Sequence, residues 1–304
     1  MNVGFIGLGR MGQGVAACIL EAGHDLLVFD PVPEQVQALH SAGAGIADSI
    51  QHVTRDRDVI ISMLPTDPVL QAVVSDPGGL LDSMSAGMIH MAMGTHSVAQ
   101  IRLVDQAHKA AGTVFIAAPV LGRPDLAAQG MLSIVPAGPA DAVEKMQPLY
   151  EAMSRQTFNA GSHPQSSAAV KIANNFMLGT AIESMGEAFA LVRKLGVEPA
   201  LFLEVLLKGL FGSKAFEIYG PMIADQQWDS HGATAIIGLK DADLVVATAE
   251  TADVPMPSVH VWREHLLEAI EHGEAQLDWA VMARQQFRNS GLEPAATGEP
   301  RNHA

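Results

Sequence analysis

Cysteine is all but missing from this chain: Cys18 is the single one among 304 residues. An internal disulfide and a cysteine-built metal site are therefore excluded. Cys18 falls beside Val15 and Ala22 on an amphipathic stretch, where a thiol serves as a small apolar core residue. Basic residues are also scarce, with 18 Lys and Arg against 33 Asp and Glu and a formal charge of −15. That balance excludes nucleic acid as a partner, because phosphate backbones require clustered Lys and Arg. An anionic substrate would have to find local positive charge against the overall field. No apolar run approaches the ~20 residues of a membrane span, so no membrane partner is expected. The N-terminus begins a strand at once, without the basic and apolar segments of a signal peptide. The expectation is a reducing, cytoplasmic setting, with no bound metal and a small-molecule partner. A content of 48% hydrophobic residues provides cores for two domains.

What is present begins at Val3. The run Val-Gly-Phe-Ile-Gly-Leu-Gly-Arg-Met-Gly ends in Gly7, Gly9 and Gly12, a G-x-G-x-x-G pattern. A strand (Val3 to Ile6) precedes it and a helical pattern (Met11, Val15, Ala16, Ile19, Leu20) follows, stopping at Gly23. In this context Gly7 allows a tight turn, Gly9 admits a pyrophosphate, and Gly12 lets helix and strand pack closely. The phosphates of a dinucleotide would rest on the helix N-terminus. A second strand, Asp25 to Phe29, leads to Asp30, where an acidic residue accepts hydrogen bonds from an adenosine ribose. A carboxylate there repels a 2′-phosphate, and Pro31 follows where a phosphate binder would carry Arg, so NAD is favoured over NADP. Arg10, inside the glycine turn, keeps NADP open.

Further apolar runs (Val59 to Leu64, Met88 to Met91, Thr113 to Ala118, Leu132 to Ala137) alternate with helical patterns near 33–42, 69–74, 97–111 and 140–153. This predicts an α/β fold, an N-terminal Rossmann domain with a doubly wound parallel sheet over residues 1–161. From Pro164 the spacing predicts one long helix to Leu195, ending at Gly196, with Gly179 and Gly186 tolerated inside it. Helices are predicted over 199–208, 214–225, 238–251, 257–272 and 279–289. The second domain, 162–292, is thus expected to be all-helical and to carry substrate and dimer contacts. The polar stretch 293–304 is expected to be a frayed tail. The long helix is apolar on more than one face, which predicts a homodimer or homotetramer.

A dinucleotide domain joined to a helical one suggests an oxidoreductase with its cleft between the two. Lys171 is the candidate proton donor, and a helix sets Asn175 one turn further along the same face. A lysine screened from water near a positive nicotinamide can have its pKa lowered enough to give and take a proton. The alternative is a solvated lysine on a long helix.

Several ordered segments resemble the β-hydroxyacid dehydrogenase family, which includes 3-hydroxyisobutyrate and tartronate semialdehyde dehydrogenases. They are Gly4 to Gly12, Ser62-Met63-Leu64-Pro65, Ala118-Pro119-Val120, Lys171 with Asn174 and Asn175, Gly209 to Ser213, and Leu239-Lys240-Asp241. The resemblance implies reversible hydride transfer between nicotinamide and a small β-hydroxy acid or its semialdehyde. It further implies that Lys171 is the general acid/base and Asn175 a ligand of the substrate or a positioner of the lysine, with Asn174 near the substrate. Gly7, Leu8, Gly9, Arg10, Met11, Gly12, Asp30, Pro31, Met63, Leu64, Pro65 and Thr95 would touch the dinucleotide, and Lys240 would reach it from the helical domain. Lys240 otherwise reads as an outward side chain at a helix start, in a surface ion pair with Asp241 or Asp243.

The chain departs from the family in three places. The family has Ser-Gly-Gly after Ala118-Pro119-Val120, whereas this chain has Leu121-Gly122-Arg123-Pro124. Gly122 and Arg123 would hold the substrate carboxylate, or Arg123 pairs with Asp125 at the surface. Met91-Ala92-Met93-Gly94-Thr95 replaces a Ser-Thr segment, with Thr95 taking over the contact. His163-Pro164 leads into the long helix where relatives carry more glycine. His96 and His163 are read as capping or surface residues. Met63, Met91, Met93, Leu121 and Met131 are read as core residues at strand ends rather than an apolar pocket. Two other readings stay open: an imine reductase or ketoreductase acting on a bulkier apolar substrate, and a dinucleotide-binding scaffold without catalysis.

Overall fold

The computed structural model describes residues 1–229 and 232–292, so the tail expected over 293–304 lies outside the described residues. In chain order the elements are β1 (Asn2–Ile6), α1 (Arg10–Glu21), β2 (Asp25–Phe29), α2 (Pro33–Ser41), β3 (Gly45–Ile46), α3 (Ile50–Thr54), β4 (Val59–Ser62), α4 (Asp67–Ser75), α5 (Leu80–Ser83), β5 (Ile89–Ala92), α6 (Val98–Ala110) and β6 (Val114–Ala117). There follow β7 (Val120–Leu121), α7 (Pro124–Ala127), β8 (Leu132–Ile134), α8 (Ala140–Lys145), α9 (Gln147–Met153), β9 (Ser154–Thr157) and the long α10 (Pro164–Lys194). The remaining helices are α11 (Pro199–Lys208), α12 (Lys214–Asp225), α13 (Ala235–Ala252), α14 (Pro257–Glu271) and, after a 3₁₀ turn at Trp279–Val281, α15 (Met282–Asn289). The chain forms two compact units, Met1–Ala173 and the part from Asn174 onward, with α10 running through the boundary.

The first unit is the doubly wound α/β fold predicted. Its six strands, ordered β3-β2-β1-β4-β5-β6, are all parallel. Strand order reverses beside β1, and the strand ends at that switch point are where ligands of such sheets bind. One face buries Val3, Phe5, Val15, Ile19, Met91 and Met93; the other buries Ile6, Ile60, Leu70, Val104 and Phe115. Met91 and Met93 are thus core residues, whereas Met131 is 42% exposed. Cys18 is buried and its thiol faces the carbonyl of Ala127, so burial pushes its pKa up and leaves it unreactive. The run from Leu132 does not extend the main sheet. It forms a second sheet, β7-β8-β9, in which β8 is antiparallel to β7 and parallel to β9. An apolar run marks a strand without naming its partner, so the sequence does not distinguish this sheet from the main one. The pattern over 140–153 is broken at Met146, ahead of Pro148.

A buried polar chain crosses the second face. Ser62 Oγ lies 2.8 Å from His90 Nε2, His90 Nδ1 lies 2.9 Å from His108 Nε2, and His108 Nδ1 lies 2.8 Å from Thr113 Oγ1. The Thr113 hydroxyl donates to the His108 carbonyl, so it accepts from Nδ1–H of His108. The same accounting gives His90 an Nδ1–H and lets Ser62 donate to its Nε2. Both imidazoles are neutral: burial drives His90 well below its ordinary pKa and takes His108 to about 4. Because the folded values lie below the unfolded ones, stability falls as pH drops below about 6.5 and levels off near the folded value, a loss of roughly 3 kcal/mol for His108. Nitrogen NMR of labelled histidines should show both as Nδ1–H tautomers, uncharged down to about pH 5. Imidazolium signals from either at pH 6 would contradict this arrangement.

Among its described residues the second unit is built of helices, with a single isolated antiparallel bridge between Thr234 and Asp278. In α10, a Cβ at Gly179 would lie 2.9 Å from the Trp262 ring, and one at Gly186 would lie 2.8 Å from Ala283 Cβ. The two glycines are there because α14 and α15 pack against them, a gain that outweighs the helical cost of glycine. Gly238, read as the start of a helix, lies inside α13, where a Cβ would meet Trp279 at 2.8 Å. His265 Nδ1 lies 2.9 Å from Glu183 Oε1, both buried. Burial lowers the His265 pKa, but the adjacent Glu183 carboxylate and the charges of Glu268 and Glu187 outweigh it and raise the value. This ion pair therefore stabilises the unit below the unfolded pKa and is lost as pH rises through the folded one.

Candidate functional site

The glycine turn joins β1 to α1 at the carboxyl edge of the sheet. Gly7 has φ +93°, and a Cβ there would lie 2.5 Å from the Met63 carbonyl. A Cβ on Gly12 would lie 2.0 Å from the Gly7 carbonyl, so helix and turn meet as closely as backbone allows. Gly9 is different. Its φ of −65° and ψ of −172° suit any residue, and no described atom beyond its chain neighbours lies within 4 Å of where its Cβ would be. Neither backbone nor packing demands glycine here, and the open space beside it is the cradle a pyrophosphate would fill. Gly9 also caps α1 without a side-chain hydrogen bond, which leaves helix-start N–H groups to face an anion. The residues present fit a dinucleotide.

Asp30 follows β2 with its carboxylate fixed by two backbone donors, Leu8 N–H at 2.7 Å and Val32 N–H at 2.9 Å. Leu8 is fully buried and its N–H is engaged with Asp30, so it shapes the turn rather than offering a side chain. Arg10, Pro31 and Pro65 are exposed; Met11, Met63 and Thr95 are half-buried; Leu64 is buried. Arg10 and Met11 open α1, and the others belong to the loops that leave the carboxyl ends of β2, β4 and β5. His163 is exposed as read, whereas His96 is buried at 2% exposure, which corrects its reading as a surface residue.

The start of α10 is pinned to the same edge. Ser167, fully buried, donates to the carbonyl of Ala117 at the end of β6 (3.0 Å) and to that of Val135. Lys171 stands one helical turn further on and is half-buried. The neighbouring loop carries Gly122, with φ +147°, and Arg123. Arg123 pairs with the exposed Asp125, one of the two readings above, but it is not itself a surface residue. Its side chain is only 16% exposed, its Nε is 3.6 Å from Asp125 Oδ1, and its Nη1 is buried without a hydrogen-bond partner among the described residues.

In the second unit Asn175 is buried and donates from Nδ2 to Asp241 Oδ2 at 2.7 Å, whereas Asn174 is exposed. Asp241 Oδ1 lies 3.2 Å from Lys240 Nζ. Lys240 therefore lies in the second turn of α13, not at its start, and its partner is a buried carboxylate rather than a surface one. Asp243 pairs instead with Arg263. Asp241 joins Asn175 to Lys240, a link visible in sequence only as the Lys-Asp doublet. Among the described residues no group of three or more His, Cys, Asp or Glu could hold a metal, and no helix is long and apolar enough to cross a membrane.

A parallel sheet of this order with an open glycine cradle and an acidic β2 terminus defines an NAD(P)-binding oxidoreductase fold. Residues 2–161 match the family described as the NAD binding domain of 6-phosphogluconate dehydrogenase. Residues 166–285 match that described as NAD-binding of NADP-dependent 3-hydroxyisobutyrate dehydrogenase. The NAD-dependent L-serine dehydrogenase of Pseudomonas aeruginosa is 33% identical over 292 residues, covering 93% of this chain and 97% of that protein. The 3-hydroxyisobutyrate dehydrogenase of the same organism is 33% identical over 262 residues, 84% of this chain and 88% of that protein. The crystal structure of 3-hydroxyisobutyrate dehydrogenase from Salmonella typhimurium superposes with a TM-score of 0.83 at 25% identity, covering 94% and 99% of the two chains. The chain belongs to the β-hydroxyacid dehydrogenase family and is an NAD(P)-dependent oxidoreductase acting on CH–OH. An imine reductase from a Pseudomonas species shares the fold alone, at 19% identity and a TM-score of 0.59.

Proposed function

We propose that the protein oxidises, reversibly, a small β-hydroxy acid, with Lys171 as the general acid/base and residues 1–161 as the dinucleotide-binding part. The observation that carries this is the anchoring of α10: Ser167 bonded to Ala117 and Val135 sets Lys171 one turn beyond the strand end from which the Ala118-Pro119 segment leaves. The relatives named above act on L-serine and 3-hydroxyisobutyrate, and both substrates place a primary hydroxyl β to a carboxylate. When bound, the nicotinamide supplies the hydride acceptor at C4. Lys171 as the free amine takes the hydroxyl proton as the carbinol C–H bond gives up its electron pair, and returns that proton in the reverse direction. Asn175, held by Asp241, would position the reacting hydroxyl or the amine. Lys240 would contact the dinucleotide, a role supported by the resemblance alone.

The carboxylate of the acid is assigned to Gly122 and Arg123. The buried Nη1 of Arg123 supports this, since a guanidinium donor left without a partner is costly unless a ligand completes it. Replacing Arg123 by alanine is expected to raise KM for the acid about 10–100-fold with kcat little changed. An unchanged KM would return Arg123 to a packing role.

NAD is the proposed cofactor, because the Asp30 carboxylate is held at the β2 terminus and Pro31 offers no charge to a 2′-phosphate. The reading is tested by initial rates at alkaline pH on a panel of β-hydroxy acids, each with NAD and with NADP. Turnover of one acid with NAD is expected; turnover only of cyclic imines would favour the imine reductase alternative. The exposed Met177 and Leu191 of α10 and Leu195 just past its end, with Leu201 and Val205 of α11, support a homodimer or homotetramer. Light scattering that showed a monomer at micromolar concentration would overturn that.

A further inference from the structure

The two loops assigned to the dinucleotide after β4 and β5 meet at one histidine. His96 is 2% exposed and its Nδ1 lies 3.0 Å from Asp67 Oδ1. The Asp67 carboxylate also accepts from the Ser97 N–H, at 3.1 and 3.3 Å. Asp67 is the first residue of α4 and Ser97 caps α6, so one carboxylate ties together the starts of two helices. The loops 63–66 and 93–96 end at those starts.

The far side of the imidazole is just as constrained. A Cβ on Gly94 would lie 2.4 Å from His96 Nε2 and 2.4 Å from the Leu64 carbonyl. Leu64, Gly94 and His96 are therefore packed with no room for a side chain between them, and Thr95 is held between two fixed neighbours. Burial raises the Asp67 pKa, but the hydrogen bonds from His96 and Ser97 outweigh it, so the carboxyl titrates below its usual range and is an anion at neutral pH.

We propose that the His96–Asp67 pair is a positioning clamp that sets Leu64 and Pro65 against Thr95 and so fixes the affinity for the dinucleotide. The inference rests on the reading above that these residues touch the dinucleotide. Neither member of the pair is assigned to the reacting atoms, so the clamp acts on binding and leaves proton transfer to Lys171.

The test is fluorescence titration of the full-length protein with reduced dinucleotide, with steady-state kinetics and melting temperatures alongside. His96→Phe keeps a ring in place but removes the donor. It is expected to raise dinucleotide Kd and KM about tenfold or more, and to leave kcat at saturating dinucleotide within about threefold. His96→Asn, whose amide can donate to Asp67 in place of Nδ1–H, should restore most of the affinity. Asp67→Asn, altering a side chain that is 26% exposed, provides a milder second variant with a shift in the same direction. Wild-type affinity in both His96→Phe and Asp67→Asn would overturn the clamp. So would a loss in His96→Phe that His96→Asn fails to restore while both melt alike. A wild-type protein that bound no dinucleotide would instead overturn the parent reading, and the clamp with it.

Discussion

Replacing Lys171 by alanine is expected to lower kcat by roughly 10²–10⁴-fold while dinucleotide affinity stays nearly intact. The size follows from its assigned work. Without an amine at this position the hydroxyl proton has only water to receive it, and a positioned general base contributes about that factor. The exchange should leave the fold intact, because Lys171 is half-buried on α10 while Ser167, one turn earlier, carries the fully buried bonds to Ala117 and Val135. Lys171→Arg should not rescue activity, since a guanidinium stays protonated and cannot accept a proton. Stopped-flow measurement of reduced dinucleotide formation, with binding titrated separately, reads both halves of the expectation. Full turnover in Lys171→Ala would end the assignment.

The second large effect is expected at Gly9. Gly9→Val should cost no more than about 1 kcal/mol of stability, for the poorer N-cap, because the backbone angles suit valine and nothing beyond the chain neighbours lies within 4 Å of the added Cβ. The same substitution should weaken dinucleotide binding by at least about 100-fold, since the methyls would occupy the space assigned to the pyrophosphate. Gly12→Ala separates packing from binding. Its Cβ would fall 2.0 Å from the Gly7 carbonyl, so the start of α1 must move and stability itself should fall. A Gly9→Val protein that melts normally and still binds the dinucleotide like the parent would contradict the cradle.

The two pH-dependent histidine systems act in opposite directions. Acid weakens the sheet unit through His90 and His108, whereas mild alkali removes the His265–Glu183 pair from the helical unit. Assays run at alkaline pH therefore load the second unit rather than the first.

What could be read from sequence was whatever is local in the chain. The strand, turn, helix and acid from Val3 to Asp30 lie within one supersecondary unit, and their order alone identified the sheet. The long helix from Pro164 was legible because no proline interrupts its apolar spacing. Contacts between distant segments were not legible. Gly238 marked a false helix start because its glycine answers to Trp279, 41 positions later. Asp241 looked like a surface partner for Lys240 because nothing local reveals that Asn175 donates to it. His96 looked like a cap because its partner Asp67 lies 29 residues earlier. The loop Leu121 to Pro124 showed its departure from the family in sequence, but the burial of Arg123 required the structure.

The central claim is that a hydride passes between the β-carbinol carbon of a small hydroxy acid and nicotinamide C4. It is tested most directly by incubating the protein with NAD and L-serine or 3-hydroxyisobutyrate deuterated at the carbinol carbon, then weighing the reduced dinucleotide by mass spectrometry. The account predicts one deuterium in each reduced dinucleotide formed from the acid that turns over, and a rate that collapses in Lys171→Ala. Reduced dinucleotide formed from a deuterated acid but carrying no deuterium would contradict it.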